Sequence, residues 1–498
     1  MKFHEPGITA LFLLCIVSTF YLAPWVENSN VFSEGRTELP KENVEIEIPN
    51  WADFTLDIEE VEVEIEEEIE EEIEEDLDEQ EESIVEKRKI NLRHNLWTPK
   101  FDTCTVENIG ESMRFHGSDD AIARLHNLFI NLNEIGRDKR EAIHVFHFGD
   151  SQIECDRITG RIRSSWQKTW GGSGPGLLPA TQPVPSLSVR QETEGDVTRF
   201  TRFGRVDTTL GHTCYGGMAA LAVIRDSARI ILKAHPMGFH NNKIWEEVEV
   251  LFGAVPMGGT LKIYGQATDT TITDIPPSSV GKHYGVTTKL KGELEDLFIS
   301  VEGYRVEITG IRLGSPDGVQ VHNIPMRGSS GTLFSRLHKN HFKAYMQNWD
   351  VGMVILQYGG NAAPYISDST SAERYGKRFG RQVKYIRSIL PEAAVLVIGP
   401  SDMGQTLDST KLSYPMLGNI RSSMREATIK EGGLFWDLSD AMGGPGTMEA
   451  WASVEPKLAA PDLVHFTPKG ARKIGQELDR AFRAEYRTWV DEVRENNK

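Results

Sequence analysis

Residues 143 to 151 read Ile-His-Val-Phe-His-Phe-Gly-Asp-Ser. Apolar residues alternate with histidines, and glycine, aspartate and serine follow at once. This is the pattern of a strand ending in a tight turn with a serine at its tip. Behind it, Ile158, Ile162, Trp166 and Trp170 recur every fourth residue, the spacing of one helix face. Strand, glycine-bearing turn, presented serine and helix together demand an α/β architecture. That arrangement also exposes a nucleophile.

The rest of the globular chain follows this lead. Ala121 to Leu132 reads as a helix. After the Gly171–Gly176 loop, short β-prone runs take over: Ala220–Ile224, Ala228–Lys233, Val248–Phe252, Thr260–Tyr264, Leu297–Val301 and Val306–Leu313. Turn residues separate them and no long helical period appears, which predicts a sandwich-like β domain. The α/β alternation then resumes. Strands are predicted at Val351–Tyr358, Ala394–Gly399 and Leu434–Leu438, and helices at Ala372–Leu390, Leu417–Lys430 and Ala471–Tyr486. Such alternation implies a parallel sheet with helices on both faces. The β domain is therefore expected to interrupt one α/β domain.

The two ends of the charge distribution differ. Of 498 residues with net charge −19, residues 42 to 86 hold 23 Asp and Glu and no Lys or Arg. The acidity belongs to one segment, and the remainder is close to neutral. No basic stripe with interleaved aromatics stands out, so nucleic-acid binding gets no support. Residues 30–95 read as an acidic low-complexity linker, either a solvated spacer or a helix that docks a basic protein partner or self-associates. Before it, Ile8 to Trp25 carries no charge. Eighteen helical residues span about 27 Å, roughly a bilayer's hydrocarbon core. Residues 1–29 read first as a signal-anchor or transmembrane segment, with a cleaved signal peptide and a buried helix as alternatives. Either of the first two places the bulk of the chain outside the cytoplasm.

A serine hydroxyl needs a base, a group that orients the base, and donors for the developing oxyanion. Pro461-Asp-Leu-Val-His-Phe-Thr-Pro468 supplies Asp462 and His465 just before the last helix. Tyr358-Gly-Gly-Asn361 follows a buried strand, so Asn361 is a candidate donor. Gly328-Ser-Ser-Gly-Thr332 offers the N–H of Gly331, beside that of Ser151. No zinc-type spacing occurs among Cys15, Cys104, Cys155 and Cys214, and no metal or cofactor is called for. The pairing of Cys104 with Cys155 or Cys214 stays open. His144 and His147 read as structural, Cys155 as buried and inert. Trp245 and Tyr264 read as core residues before sugar-stacking ones.

These blocks resemble the SGNH (GDSL-type) hydrolases, whose Ser, Gly, Asn and His stand in this order. The matching stretches are Gly149-Asp150-Ser151-Gln152, Gly328–Thr332, Gly359-Gly360-Asn361 and Asp462-Leu-Val-His465. Gln152 replaces the family's Leu, and Ala362 the acidic residue often found after Asn. The β-rich interruption, and Met442-Gly-Gly-Pro-Gly-Thr-Met448 with Trp451, resemble the peptidoglycan O-acetylesterases of bacterial envelopes.

The resemblance implies a flavodoxin-like three-layer α/β/α SGNH sandwich with an inserted jelly-roll-like, carbohydrate-binding-type β domain. The boundaries would be 96–184 and 326–498 for the hydrolase domain and 185–325 for the insert. It implies Ser151, Asp462 and His465 as catalytic residues and Ser151, Gly331 and Asn361 as the oxyanion hole. It further implies a serine esterase acting on an O-acetylated envelope glycan, foremost peptidoglycan, held at the inner membrane with a periplasmic catalytic domain. An O-acetyltransferase on the same fold and a non-catalytic glycan-binding or assembly protein are the alternatives.

Overall fold

The computed structural model describes residues 110–496, apart from 111–112, 136–140, 205, 266–267, 292–295 and 408–409. These lie in one compact unit. The expected N-terminal anchor and acidic linker, and Cys15 and Cys104, lie outside the described residues. Among the described residues, no helix is long and apolar enough to cross a membrane.

In chain order the elements begin with α1 (Asp119–Ile135), β1 (Ile143–Gly149), α2 (Thr159–Trp170), β2 (Gly176–Leu178), β3 (Val189–Thr201) and β4 (Ala220–Ala234). There follow β5 (Glu247–Phe252), β6 (Gly259–Gly265), β7 (Thr268–Ile275), β8 (Tyr284–Lys289), β9 (Asp296–Glu302), β10 (Val306–Gly314) and β11 (Val319–Pro325). Then come α3 (Lys339–Met346), β12 (Val351–Gln357), α4 (Ser369–Ile389), β13 (Ala394–Ile398), and the small hairpin β14 (Gly404–Leu407) and β15 (Thr410–Ser413). The chain closes with α5 (Leu417–Lys430), β16 (Leu434–Trp436), α6 (Leu438–Met442), α7 (Thr447–Ser453) and α8 (Pro468–Glu495).

Five strands form a parallel sheet in the order β11-β1-β12-β13-β16. Counting only these strands, the order is 2-1-3-4-5, the flavodoxin-like arrangement. Both faces are covered, because successive side chains of a strand point to opposite faces. Val145, Met353, Ile355 and Leu396 join residues of α1, α2 and α8 in one apolar cluster. Phe146, Phe148, Val354, Leu356 and Val397 join residues of α3, α4 and α5 in another. In such sheets, ligands bind beyond the carboxyl ends of the strands where the order reverses, here between β1 and β12. Ser151 and Asn361 follow those two strands.

Burying β1 along its whole length strands two histidines, and each finds polar partners. His144 Nδ1 lies 2.9 Å from His322 Nε2. His147 bonds Gln357 at 3.1 Å through Nε2 and Thr159 Oγ1 at 2.9 Å through Nδ1. Burial pushes His147 down to about 3 and His144 and His322 well below the ordinary imidazole value, so all three are neutral. They are structural, as expected.

The β-rich stretch is joined more continuously than the separate runs of its sequence suggest. Its nine strands form one hydrogen-bonded antiparallel sheet. Ala220–Ile224 and Ala228–Lys233 are the two halves of the single 15-residue strand β4. The first half pairs with β10, the second with β9, and β3 pairs with both. The sheet closes on one apolar core containing Val248, Ile299 and Ile308. Its limits also differ from 185–325. β2 already pairs with β10, and β11 belongs to the parallel sheet beside β1. Trp245 is buried, with its indole N–H donating to Asn242 O at 2.8 Å. Tyr264 stacks on Phe298 with ring centroids 5.0 Å apart.

Candidate active site

Gly149 ends β1 where the chain must turn tightly: a Cβ there would meet Gln357 O at 3.1 Å and Ile153 Cδ1 at 3.0 Å. Asp150 then caps the following turn, its Oδ1 accepting the Gln152 N–H at 2.9 Å. Ser151 begins that turn. Cys155 and Asp156 both take left-handed backbone, with φ of 60° and 59°. Consecutive non-glycine residues in that region are costly and need surrounding structure to hold them. Asp156 is held by a buried bidentate pair with Arg163 and by the Ser188 hydroxyl.

The partner loop carries His465, 314 residues further along, and meets Ser151 at the sheet edge. Ser151 Oγ lies 2.9 Å from His465 Nε2, and His465 Nδ1 lies 2.8 Å from Asp462 Oδ2. The other carboxylate oxygen of Asp462 accepts the N–H groups of Val464 and His465 at 2.9 and 3.0 Å. Left-handed Leu463, with φ of 58°, lets the loop turn back on the carboxylate in this way. Burial pushes Asp462 upward. The hydrogen bonds from the His465 ring and the two backbone N–H groups outweigh it and hold the carboxyl down at about 2. Asp462 is thus ionised throughout the neutral range.

Two residues fasten the serine turn to the histidine loop. The Gln152 amide donates to Val464 O at 2.5 Å and accepts the Phe466 N–H at 3.5 Å, so it brackets His465. Arg157 donates to Ser151 O and to Phe466 O, both at 2.9 Å. Neither was among the expected site residues, since neither carries chemistry of its own. The contiguity of Asp150, Ser151 and Gln152 was the available signal.

Asn361 lines the same pocket as Ser151 and His465, together with Gly360, Pro400, Ser401 and Met403. Its amide donates to Asp150 Oδ2 at 3.2 Å and to Ser329 O at 3.1 Å. Asp150 is 4% exposed, and burial pushes its carboxyl up to about 6. Gly331 is not brought to the pocket. Its N–H donates to Ser329 Oγ at 3.1 Å, and a Cβ on it would strike the Tyr358 ring at 2.5 Å. This glycine permits close packing under the site, and the part of its loop that reaches Asn361 is the Ser329 carbonyl. Cys155 and Cys214 are both free, and burial raises both thiols above their ordinary range, which keeps them protonated and poorly reactive. Among the described residues, no cluster of His, Cys, Asp and Glu could hold a metal ion.

Ser151, His465 and Asp462 thus stand in hydrogen-bonded line at the switch point, an arrangement in which a serine hydroxyl can be activated as a nucleophile. Comparison with known proteins gives the fold a name. No protein-family model matches the chain, and no curated protein matches it. A solved structure of a peptidoglycan O-acetylesterase aligns with 75% of this chain and 99% of its own, at 22% identity and a TM-score of 0.60. Looser likenesses include a salicylyl-acyltransferase from a tetracycline biosynthetic pathway (10% identity, 62% of this chain and 96% of its own, TM-score 0.27). Another is a GDSL-like lipase from Parabacteroides merdae (15% identity, 33% and 74%, TM-score 0.26). The chain shares its fold with that peptidoglycan O-acetylesterase structure.

Proposed function

We propose that this protein is a serine esterase that removes O-acetyl groups from a cell-envelope glycan, peptidoglycan foremost. The observation that carries the reading is the hydrogen-bonded line Ser151–His465–Asp462 beside a pocket that also holds Asn361. The likeness to a peptidoglycan O-acetylesterase over almost all of that protein's length supports the choice of substrate. The nine-stranded sheet is the glycan-holding part in this reading, and the uncharged segment Ile8–Trp25 ties the chain to the envelope membrane.

The chemistry follows from the site. Ser151 Oγ attacks the acetyl carbonyl carbon while His465 Nε2 takes the hydroxyl proton. Asp462 stabilises the imidazolium. The carbonyl oxygen becomes an oxyanion, and one of the two Asn361 amide hydrogens turns to it from Asp150 or Ser329. Collapse breaks the bond to the sugar oxygen, which leaves with the proton from His465. Water, deprotonated by His465, then attacks the acetyl-serine and releases acetate. Loss of one such oxyanion donor typically costs roughly 2.7–4 kcal/mol.

The test is acetate release from purified O-acetylated peptidoglycan, set beside acetylated polysaccharides without peptide. The full chain is expected to release acetate from the first, and Ser151→Ala to release none. A Ser151→Ala protein with full turnover would overturn the reading.

A further inference from the structure

A second, smaller cleft opens beside the first strands of the antiparallel sheet. Thr181, Arg199, Leu221 and Thr309 are among its lining residues. Its position follows from the chain path. The segment leading into and through β2 runs beside β11 in the same direction: Gly172 lies against Val319, Gly176 against Val321 and His322, and Leu177 N–H donates to His322 Nδ1 at 3.0 Å. Pro179 to Thr181 therefore leave the structure at the edge where β11 and β1 end, the edge that carries Ser151. The same loop returns to the serine turn, with Leu187 N–H on Cys155 O at 3.0 Å. The loop that lines the cleft is thus the one that returns to the serine turn.

Arg199 in this cleft has no acidic partner. Several buried arginines have theirs, Arg163 with Asp156, Arg312 with Glu247 and Glu249 and Arg483 with Asp479, whereas the Nε of Arg202, like that of Arg199, is buried without a hydrogen-bond partner. Arg199 lies over the Phe203 ring at 5.7 Å, and its Nε is buried without a hydrogen-bond partner. The Thr181 hydroxyl is buried in the same cleft without one. The nearby loop carbonyls cannot neutralise the guanidinium. Ala180 O accepts from Gln191 and Thr193, and Pro179 O accepts from Gln191. Burial alone lowers the Arg199 pKa, with no carboxylate acting on it. A half-buried cation whose Nε–H is unsatisfied is costly to keep, and an oxyanion on it would make charge-assisted hydrogen bonds.

We infer that Arg199 and Thr181 form a subsite for a carboxylate carried by the glycan whose acetyl ester reaches Ser151. The planar guanidinium suits a carboxylate, and the threonine hydroxyl supplies a further donor. This rests on the esterase reading for the identity of the glycan. It adds that the substrate is acidic, as a glycan bearing lactyl or peptide carboxylates is and a neutral acetylated polysaccharide is not.

The test uses the full chain with Ser151→Ala, which holds substrate without turnover. Its affinity for soluble O-acetylated peptidoglycan fragments is measured by titration calorimetry, with the fragment carboxylates either free or amidated. Amidation is expected to weaken binding about tenfold or more, the usual worth of hydrogen bonds to a charged group. In Ser151→Ala/Arg199→Met the two fragments are expected to bind alike. The Arg199→Met change is also expected to raise the melting temperature, because it removes an unpaired buried charge. The inference is overturned if amidation has no effect on Ser151→Ala, if the double variant keeps the full amidation effect, or if neither fragment binds. If the double variant does not fold, the amidation effect in Ser151→Ala with Arg199→Lys decides the same point, since a compact ammonium cannot make the bidentate contact and must lose most of that effect. Acetate release by the unaltered protein is measured separately. Its absence beside an intact amidation effect would sink the esterase reading and leave the subsite standing.

Discussion

Ser151 stands at the end of a strand buried along its whole length, whereas His465 and Asp462 stand on a loop where their side chains are 38% and 50% exposed. The serine turn inherits its position from the parallel sheet: Met326 N–H on Gly149 O at 2.7 Å and the β1–β12 ladder fix it. The histidine loop has no long ladder but is tied by one isolated bridge, Ala459 with Phe466, where Ala460 N–H donates to His465 O at 2.8 Å and Thr467 N–H to Leu458 O at 3.0 Å. It is positioned by Gln152, by Arg157 and by the turn of Leu463 against Gly404, whose N–H donates to Leu463 O at 2.8 Å. The core places one half of the hydrogen-bonded line, and a short backbone bridge together with side chains issuing from that half places the other. Rigidity therefore flows from the nucleophile to the base.

The largest test of this contrast removes each half's reacting group. Ser151→Ala is expected to lower kcat on an acetyl ester by about 10⁴-fold or more, since a serine acting with its base as a unit has no substitute. Asp462→Asn keeps the loop's shape but loses the charge that favours the imidazolium, and a fall of about 10²–10⁴-fold is expected. Both are read from kcat and KM on a soluble acetyl ester. The carboxyl of Asp462 is held down at about 2, so it is ionised throughout the neutral range in which the ester is assayed. An Asp462→Asn protein with unchanged kcat would break the assignment.

The next test asks whether side chains really carry the histidine half. Gln152→Leu removes both bonds that bracket His465 and leaves the Asp462–His465 pair intact. Small misplacement of a base costs on the order of 10²-fold, so kcat is expected to fall by about 10- to 100-fold with KM little changed. An unchanged kcat would show that Arg157 and the Leu463 turn suffice.

Asp150 tests the serine half through its stability. Its carboxyl is raised by burial to about 6, above the unfolded value near 4. An acid raised in this way binds its proton more tightly when folded. Folding stability therefore falls as pH rises from about 4 to about 6 and stays lower above that. The loss is about 3 kcal/mol at most, at 1.36 kcal/mol per unit. Asp150→Asn should abolish that fall. At pH 8 it should melt higher by roughly 1–2 kcal/mol, once the bond from Asn361 is subtracted. It should also turn over more slowly, because two amide donors would then face each other across the site. Chemical denaturation at pH 4 and pH 8 gives the comparison. Equal pH dependence in the two proteins would remove Asp150 as its source.

This division also marks what the sequence shows and what it conceals. β1, β12 and β13 are legible because strands buried on both faces must be continuously apolar or carry satisfied polar groups. Asp462 and His465 are legible because the chemistry needs those types in that order. β3 was not, since Val189–Thr201 is polar on both faces and owes its strand to β4 beside it. β7 and β8 are missed for the same reason, having mostly solvent-facing side chains. β11 falls within the expected 185–325 insert, while its pairing with β1 depends on a chain crossing that no local pattern records. Gly331 was plausible as a donor because glycine permits close approach, yet residue type does not say what approaches. Here that is an aromatic ring.

The smallest effect isolates the backbone on the two sides. Each half contains non-glycine residues in left-handed backbone: Cys155 in the serine turn and Leu463 in the histidine loop. Glycine relieves about 1 kcal/mol of that strain at either position and gives back part of it as chain entropy. The side chains then decide the sign. Cys155 is half-buried, with a thiol engaged in no bond of the site, so Cys155→Gly should leave stability unchanged or raise it by up to about 1 kcal/mol. Leu463 is 2% exposed and seals the loop against Gly404. Leu463→Gly forfeits about 2–3 kcal/mol of apolar burial, so it should destabilise by roughly 1–2 kcal/mol. Because the sheet does not hold this loop, that loss should also appear in kcat, whereas Cys155→Gly should leave kcat alone. Denaturation midpoints and kcat for the two variants measure both claims. A Leu463→Gly protein with normal turnover would show that the loop needs only its bonds to Gln152 and Arg157.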